Sequence, residues 1–273
     1  MSGTAAADQW GRRRLVRTLA VVAMAALLLL GGLAYAVYSA VASTRAAPAT
    51  PGPAGQAVEQ LPPGQGRRDA IAAAPMLPVP PEASRFGTPS ARRSLSIGIP
   101  PAARVGPAEV PTGFPQTPEG AVAQLAAIET TVLQSMSIDR AHLVHDAWSA
   151  PGAVPVETWE LTRNIQAFLG SGAGQYPDRL GAAVVTTPVA AQVKGVDGDD
   201  WVLACVLLDV KAQVATAARI AYGHCERMKW TSDGGGRWVI AAGSAPARAP
   251  STWPGTDLAI EAGWKSVTLG LDQ

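Results

Sequence analysis

The sequence predicts an α+β domain that follows a single membrane-spanning helix and a proline-rich linker. A segment of 27 residues without a charge lies near the N-terminus, and fourteen Pro occur in the 67 residues from 45 to 111. Beyond residue 112 the apolar pattern changes from helical to extended periodicity. Seven of the eight Trp lie after residue 140, so the core is expected within residues 112–273.

Residues 18–44 are predicted to form the transmembrane helix. A helix of this length would measure about 40 Å, which exceeds the ~30 Å hydrocarbon core of a bilayer. Residues 1–17 carry four Arg against one Asp. The positive-inside rule therefore places this basic tail in the cytoplasm and the C-terminal part outside.

A cleaved signal peptide is the alternative interpretation, with "AYA" (34–36) or "AVA" (40–42) as the cleavage site. Both interpretations export the C-terminal domain. The small residues Gly32, Ala36 and Ala40 recur every four positions and can form a packing face between transmembrane helices.

Residues 45–111 are predicted to be a disordered or polyproline-II linker. Pro removes backbone donors and fixes φ, so neither helix nor sheet propagates easily there. Such a linker holds a folded domain away from the membrane. "MLPVPP" (76–81) can also act as a proline-rich ligand motif, and "SLSIGIP" (94–100) is too short to pack alone but can lie against the domain.

The exported domain, residues 112–273, opens with a well-marked helix. Thr117 is a suitable N-cap, Pro118 fits the first helical position, and Glu119 meets the positive end of the helix dipole. Apolar residues then recur at helical spacing to about Met136.

Two more helices are predicted before the strands begin. The first covers residues 139–149, with Asp139 as its cap, and the second covers residues 156–169. Four β-branched or alternating segments then predict antiparallel strands over residues 180–196, 201–214, 218–230 and 238–242. Three helices packed on one face of a curved sheet of about four strands form an α+β cone.

Cys205 and Cys225 are the two cysteines of the chain. If the second and third strands form a hairpin centred near residue 215, the two side chains face each other, and an exported domain favours a disulfide. A register slip of one residue would separate them, so two buried free thiols are the alternative. Metal binding together with His224 lacks a fourth ligand.

Other chemical candidates are weak. His142, His145 and Asp146 share one predicted helix, but no third metal ligand accompanies them. "DGDD" (197–200) lacks calcium-loop spacing, and "GSGAGQ" (170–175) lacks the Lys of a phosphate loop.

The sequence therefore predicts no cofactor, no metal site and no catalytic residue. An enzyme would need Asp209 or Tyr222 inside the cone beside a catalytic partner. Residues 112–273 carry a net charge of −5, which disfavours nucleic-acid binding as the main role of the domain.

Several motifs resemble known families. Three helices and a meander that ends in "RMKWTSDGGGRWVIAA" resemble the nuclear-transport-factor-2-like (NTF2-like) fold. A membrane span, a spacer and such a domain are similar to inner-membrane scaffold subunits of type IV secretion and conjugation systems. "GFPQTPEGAVAQLAAI", "HDAW" and the "GW" of "AIEAGWKSV" resemble membrane proteins of actinobacterial conjugative elements.

This resemblance implies a non-enzymatic scaffold or interaction subunit, whose partners are other subunits of a membrane assembly or a second copy. The alternative is an exported small-ligand-binding domain tethered to the membrane. A filled cone with an exposed apolar patch would favour the scaffold. A deep pocket with convergent polar groups would favour the ligand-binding domain.

Overall fold

The computed structural model describes residue 58 and residues 61–171, 183–213 and 217–269. The predicted cytoplasmic tail, the predicted transmembrane helix and its packing residues Gly32, Ala36 and Ala40 lie outside the described residues. Within the described ranges, no helix combines the length and the apolar character that crossing a bilayer requires. These ranges form an α+β structure with a curled, mainly antiparallel sheet.

The helices and strands are numbered in chain order. The described helices are α1 (Gln65–Ala73), α2 (Pro118–Ser135), α3 (Ile138–Trp148), α4 (Glu160–Gly170) and α5 (Asp257–Glu261). The described strands are β1 (Ser96–Ile99), β2 (Arg104–Val105), β3 (Pro111–Thr112), β4 (Ala183–Val196), β5 (Trp201–Gln213), β6 (Ala217–Thr231), β7 (Arg237–Ile240) and β8 (Lys265–Leu269).

Helix α2 begins as its sequence predicts. The Thr117 hydroxyl accepts a hydrogen bond from the Gly120 amide at 3.1 Å, Pro118 is the first helical residue, and Glu119 lies in the first turn. The side chain therefore satisfies one of the orphan donors at the helix start, while Pro118 has no donor to satisfy.

The starts of the next two helices differ from the prediction. Ser137, rather than Asp139, caps α3, and its hydroxyl accepts from the Arg140 amide at 3.3 Å. Helix α4 starts four residues later than predicted, because the Thr158 and Trp159 amides both donate to the Pro155 carbonyl and close a turn there.

The main sheet has six strands in the order β1-β8-β4-β5-β6-β7. Strands β4 to β7 form the predicted antiparallel meander, and β4 contains two register shifts, at Pro188/Ala190 and Val193/Gly195. Such bulges increase the local bend and twist of a strand. Cys205 pairs directly with Cys225 across β5 and β6, in the register that a hairpin centred near residue 215 predicts.

The prediction of a disordered linker is wrong for residues 61–111. This segment contains α1 and three short strands, and β1 pairs in parallel with β8, far away in the sequence. Ile97 and Ile99, both in the "SLSIGIP" motif, are buried by this pairing. The pairing explains why the local sequence pattern gives no signal, since β1 depends on a partner near the opposite end of the chain.

The sheet is covered on both faces. Helices α2, α3 and α4 bury one face, and we call them the helical layer. The other face is covered by what we call the outer layer, residues 61–95 and 241–264, which contain α1 and α5. Strand β5 is consequently buried along ten consecutive residues, Trp201 to Val210. Both-sided cover explains why this strand is apolar rather than alternating.

Ion pairs attach α1 to the sheet. Arg68 contacts Asp197 at 2.5 Å, and Asp69 accepts from Arg227 Nη1 at 2.7 Å. Asp197 belongs to the "DGDD" turn and Arg227 is only 2% exposed. A buried guanidinium needs such partners, because an unpaired charge in the interior is strongly destabilising.

Two further contacts fix the end of α1. The Lys194 ammonium donates to the Ala72 and Ala74 carbonyls at the helix C-terminus, and burial lowers the pKa of this group to about 8. A side chain at Gly195 would meet Ile71 at 2.6 Å, so glycine allows α1 to approach β4 closely.

Three buried Trp side chains use proline carbonyls as acceptors. The indole N–H groups of Trp148, Trp238 and Trp264 donate to Pro107, Pro115 and Pro250 at 3.1, 2.9 and 3.0 Å. A buried indole N–H needs an acceptor. Proline carbonyls, both in the predicted linker (Pro107) and beyond it (Pro115 and Pro250), therefore serve as hydrogen-bond acceptors for the core.

Candidate functional site

The two cysteines lie on the outer-layer face of the sheet and are bonded. Their Sγ atoms are 2.01 Å apart, and both residues are buried. Met76 of the outer layer contacts Cys225, with 3.6 Å between the sulfur atoms. The pair is a structural cross-link, because neither sulfur is available as a thiolate ligand or nucleophile.

A cluster of ionisable side chains lies on the opposite face, beneath the helical layer. We call it the polar cluster, and it is built on alternate residues of β6, which share one face of the strand: Tyr222, His224 and Glu226. Glu129 of α2 and Glu160 of α4 approach this row from the helical layer.

Short hydrogen bonds connect the polar cluster. His224 Nδ1 is 2.7 Å from Glu129 Oε1, and His224 Nε2 is 3.7 Å from Glu226 Oε1. The Trp159 indole N–H donates to Glu226 at 2.8 Å, and the Tyr222 hydroxyl donates to Glu160 at 2.9 Å. Two carboxylates thus flank one imidazole, and a third, Glu160, accepts from the neighbouring Tyr222 hydroxyl.

Burial and charge change the pKa values of these groups together. Burial raises the pKa of Glu129 to about 6, against the opposing effect of His224. Burial opposes the charge on His224, but Glu129 and Glu226 outweigh it and raise the imidazole pKa to about 9. Burial also raises the pKa of Glu226 and, with the nearby carboxylates, that of Tyr222. At neutral pH the cluster therefore holds an imidazolium beside the Glu129 carboxylate.

The polar cluster can hold and exchange protons, but most of it is inaccessible. Glu129 is 0% exposed and His224 is 5% exposed, whereas Tyr222 and Glu160 are partly exposed. A molecule in solvent can therefore contact only the Tyr222 end. Of the two strand residues that the sequence offers for an enzyme, Tyr222 lies on the sheet face beneath the helical layer and Asp209 lies on the opposite face.

Asp209 belongs to the outer-layer face. It binds the guanidinium of Arg219 at 2.7 Å and lies 3.4 Å from the Lys211 ammonium. Burial acts against ionisation, but Arg219 and Lys211 outweigh it and lower the pKa of Asp209. We interpret Asp209 as a structural residue, because its carboxylate is occupied by ion pairs with Arg219 and Lys211.

The three α3 candidates do not converge on one site. His145 Nε2 bonds to the Val154 carbonyl at 2.8 Å, and its ring packs against Trp159. Asp146 points to solvent, 3.9 Å from His145 Nδ1. The Nε2 atom of His142 is buried and has no hydrogen-bond partner among the described residues.

A groove of about 1050 Å³ lies along α2. Small side chains of α2 form one wall, and residues 99–102, Pro111 at the start of β3 and Phe114 form another. Thr187, Pro188 and Val267 line the part next to the sheet. The lining is mainly apolar, whereas Gln134 and the Arg140–Glu109 ion pair, at 2.8 Å, supply polar groups.

The groove exists because β8 pairs with β4 only at Ala190 and Ala191. The earlier part of β4 pairs with β5 alone among the described strands, and the Gln134 side-chain amide donates to the Thr186 carbonyl at 3.3 Å. Small residues on α2 leave the space between these elements open. The sequence pattern of α2 indicates a buried face but gives no sign of this second, partly open face.

Sequence reasoning missed both the polar cluster and the groove. The signal for the first was present, because Tyr222, His224 and Glu226 alternate in a strand that is otherwise apolar on that face. No sequence pattern indicates the groove, because the composition of residues 99–102 predicts a linker there. Comparisons of the chain with protein-family models, with curated proteins and with solved structures find no match.

Proposed function

We propose that this chain is a non-enzymatic, membrane-anchored interaction subunit of a membrane assembly of the conjugative DNA-transfer, type IV secretion-like kind. The groove along α2 is the observation that carries the proposal. It is wide, mainly apolar and open to solvent, and such surfaces are typical of protein interaction sites.

The filled interior of the domain supports the same function. Leu125, Ile128, Trp159 and Trp238 are each at most 1% exposed, and they fill the space between helices and sheet that a ligand-binding cone would leave open. The NTF2-like arrangement of three helices and a meander, the predicted anchor and the sequence motifs give the family part of the proposal. The assembly type rests on that resemblance.

Photo-crosslinking in native membranes tests the proposal. A benzophenone amino acid at Thr131, which lines the groove, is expected to give an adduct with one defined assembly subunit or a second copy. The same probe at Asp146, an exposed α3 position outside the groove lining, is the matched control. Equal adducts from both positions, or none from Thr131, would contradict the proposal.

A pair of variants connects the groove to DNA transfer. Thr131→Trp fills part of the groove, so transfer is expected to fall at least about tenfold, equivalent to about 1.4 kcal/mol of lost association. Asp146→Trp adds the same ring at an exposed site and should leave transfer unchanged. Circular dichroism of both variants checks that they fold alike.

The volume of the groove also favours a second candidate function, an exported small-ligand-binding domain. About 1050 Å³ is at the upper end of the range of small-molecule sites, and Gln134, Thr130 and Arg140 supply a few polar groups in an apolar lining. Thermal-shift screening with apolar ligands distinguishes the interaction subunit from the ligand-binding domain. A ligand that raises the melting temperature of the native protein, but not of Thr131→Trp, would favour the ligand-binding domain.

A further inference from the structure

Charge is divided unequally between the two layers of the domain. Residues 61–95 and 241–264, which form the outer layer, carry six Arg against four Asp and Glu, a net charge of +2. Residues 112–171, which form the helical layer, carry two Arg against six acids, a net charge of −4. The outer layer is therefore the part of the domain that suits an anionic partner.

The positive charge is densest in residues 85–95, "RFGTPSARRSL", which we call the basic strap. The strap contains Arg85, Arg92 and Arg93 and no acidic residue, and every residue in it is at least partly exposed. Arg92 contacts Asp257 at 2.9 Å, whereas Arg85 and Arg93 form no ion pair among the described residues. Two guanidinium groups are thus available for an external anion.

The basic strap also exposes large apolar side chains. Phe86 is 70% exposed and Leu95 is 73% exposed, which places them among the most exposed large hydrophobic residues of the described chain. Exposed Phe and Leu beside unpaired Arg have the composition of segments that lie at the lipid interface.

Main-chain hydrogen bonds hold the strap against the domain. The Ser90 amide donates to the Gly255 carbonyl at 2.8 Å, and the Ser266 amide donates to the Leu95 carbonyl at 2.8 Å. Near the start, the Trp253 amide donates to the Ala83 carbonyl at 2.6 Å. The backbone is attached at several points while Phe86 and Leu95 point outward, so binding requires little ordering of the strap.

We propose that the basic strap docks on an anionic membrane surface, with Arg85 and Arg93 at the lipid phosphates and Phe86 and Leu95 in the interfacial region. The inference rests on the membrane anchoring proposed above, because a tether raises the local concentration of the domain at the bilayer. Nucleic acid fits less well, because its phosphate backbone offers no apolar surface to the exposed Leu95 side chain. The strap would hold the domain against the membrane rather than at the end of a long spacer.

Reconstitution of the full chain into vesicles tests this inference. Phe86→Cys carries an environment-sensitive nitrobenzoxadiazole label, and the native cysteines are protected because they are bonded to each other. Vesicles of phosphatidylcholine with phosphatidylglycerol should raise the label emission about twofold, with a blue shift, relative to phosphatidylcholine alone. High salt should reduce this difference.

Matched variants separate the strap from other surfaces. Arg85→Glu with Arg93→Glu should abolish the emission change, whereas Arg163→Glu, a charge reversal on the exposed face of α4, should leave it intact. The label at Leu143, a 53% exposed apolar residue of the acidic helical layer, should not respond.

The inference is overturned if the label at residue 86 reports the same environment in both vesicles, or if the Glu variants respond like the native strap. It is also overturned if duplex DNA, and not vesicles, changes the emission. Flotation with neutral vesicles at high salt reports anchoring separately: a chain that fails to float contradicts the proposed anchor, whereas a chain that floats without a response at residue 86 contradicts only the strap.

Discussion

The two layers on either side of the sheet are built in different ways. The helical layer comes from one continuous stretch of sequence and packs through apolar side chains, such as Leu125 and Ile128, that are fully buried. The outer layer combines segments from both ends of the described chain, and ion pairs and the Lys194 hydrogen bonds to the end of α1 attach it to the sheet. The difference shows that a layer without a strong local pattern can still be held in place by specific long-range contacts.

The largest expected effect concerns the ion pair that attaches α1. Asp69→Ala leaves the buried Arg227 guanidinium without its counter-charge, so the free energy of unfolding should fall by about 3–5 kcal/mol. Urea denaturation measures this change. Arg227→Ala should cost less, because the Asp69 carboxylate that it leaves is half exposed and still accepts from the Gln65 side chain, and Arg163→Ala in the helical layer should stay within about 0.5 kcal/mol of the native protein.

Equal decreases in the free energy of unfolding of the Arg227→Ala and Arg163→Ala variants would contradict the proposed difference between the layers. Hydrogen exchange in residues 65–73 adds an independent readout. Protection there should decrease in Arg227→Ala while protection in α2 changes less, because Arg227 contacts α1 directly.

The disulfide beneath the outer layer gives the next effect. Cys205→Ala with Cys225→Ala should lower the free energy of unfolding by about 3 kcal/mol in the chain-entropy model, given the sequence separation of 20 residues. Denaturation of the native protein with and without a reductant provides the comparison. If the fully reduced protein, with both thiols verified by alkylation, unfolds at the same urea concentration, the cross-link contributes nothing to stability.

The helical layer should respond to pH through the polar cluster. The folded-state pKa of His224 is raised to about 9, so its contribution to stability is complete below about pH 6.5 and is lost as pH rises towards 9. The pKa of Glu129 is raised to about 6, so its contribution to stability is also lost as pH rises, between about pH 4.5 and 6. Thermal denaturation should therefore show a melting temperature that falls between pH 6.5 and 9.

His224→Gln should flatten this upper part of the pH profile, since Gln keeps a polar side chain but does not titrate. Lys211→Gln, on the outer-layer face beside Asp209, is a control that leaves the cluster unchanged. An unchanged slope in His224→Gln would show that another group causes the pH dependence.

Local signals predicted the parts of the fold that depend on neighbours in sequence. Thr117 and Pro118 define the start of α2 within one turn, and the hairpin register follows from alternation and a short connection. The same register placed Cys205 opposite Cys225. These features need no knowledge of distant residues, so one sequence is sufficient for them.

The remaining features depend on partners that local pattern does not reveal. Helix α1 is short and weakly apolar, and Arg68 and Asp69 become informative only when Asp197 and Arg227 are known to be near them. Strand β1 has only four residues and needs β8. The polar cluster was missed for the same reason, since Glu129 lies on the apolar face of α2 and its partner His224 is on β6.

The order of residues 61–111 shortens the segment that could act as a spacer in the proposed membrane-anchored chain. Residues 45–111 cannot all serve as a free spacer, because the segment from residue 61 is part of the domain. The groove supports this view as well, since residues 99–102 form part of its lining. Any interaction through the groove therefore depends on a segment that composition alone assigns to a linker.

The most direct test of this account compares two truncated chains, residues 61–273 and residues 112–273, by thermal denaturation. The shorter chain lacks the buried side chains of Ile71, Ile97 and Ile99, each of which contributes about 1.5–3 kcal/mol to the free energy of unfolding. It should therefore melt more than about 10 °C lower or fail to fold. Equal melting temperatures and equally cooperative transitions for the two chains would contradict the claim that residues 61–111 are an integral part of the domain.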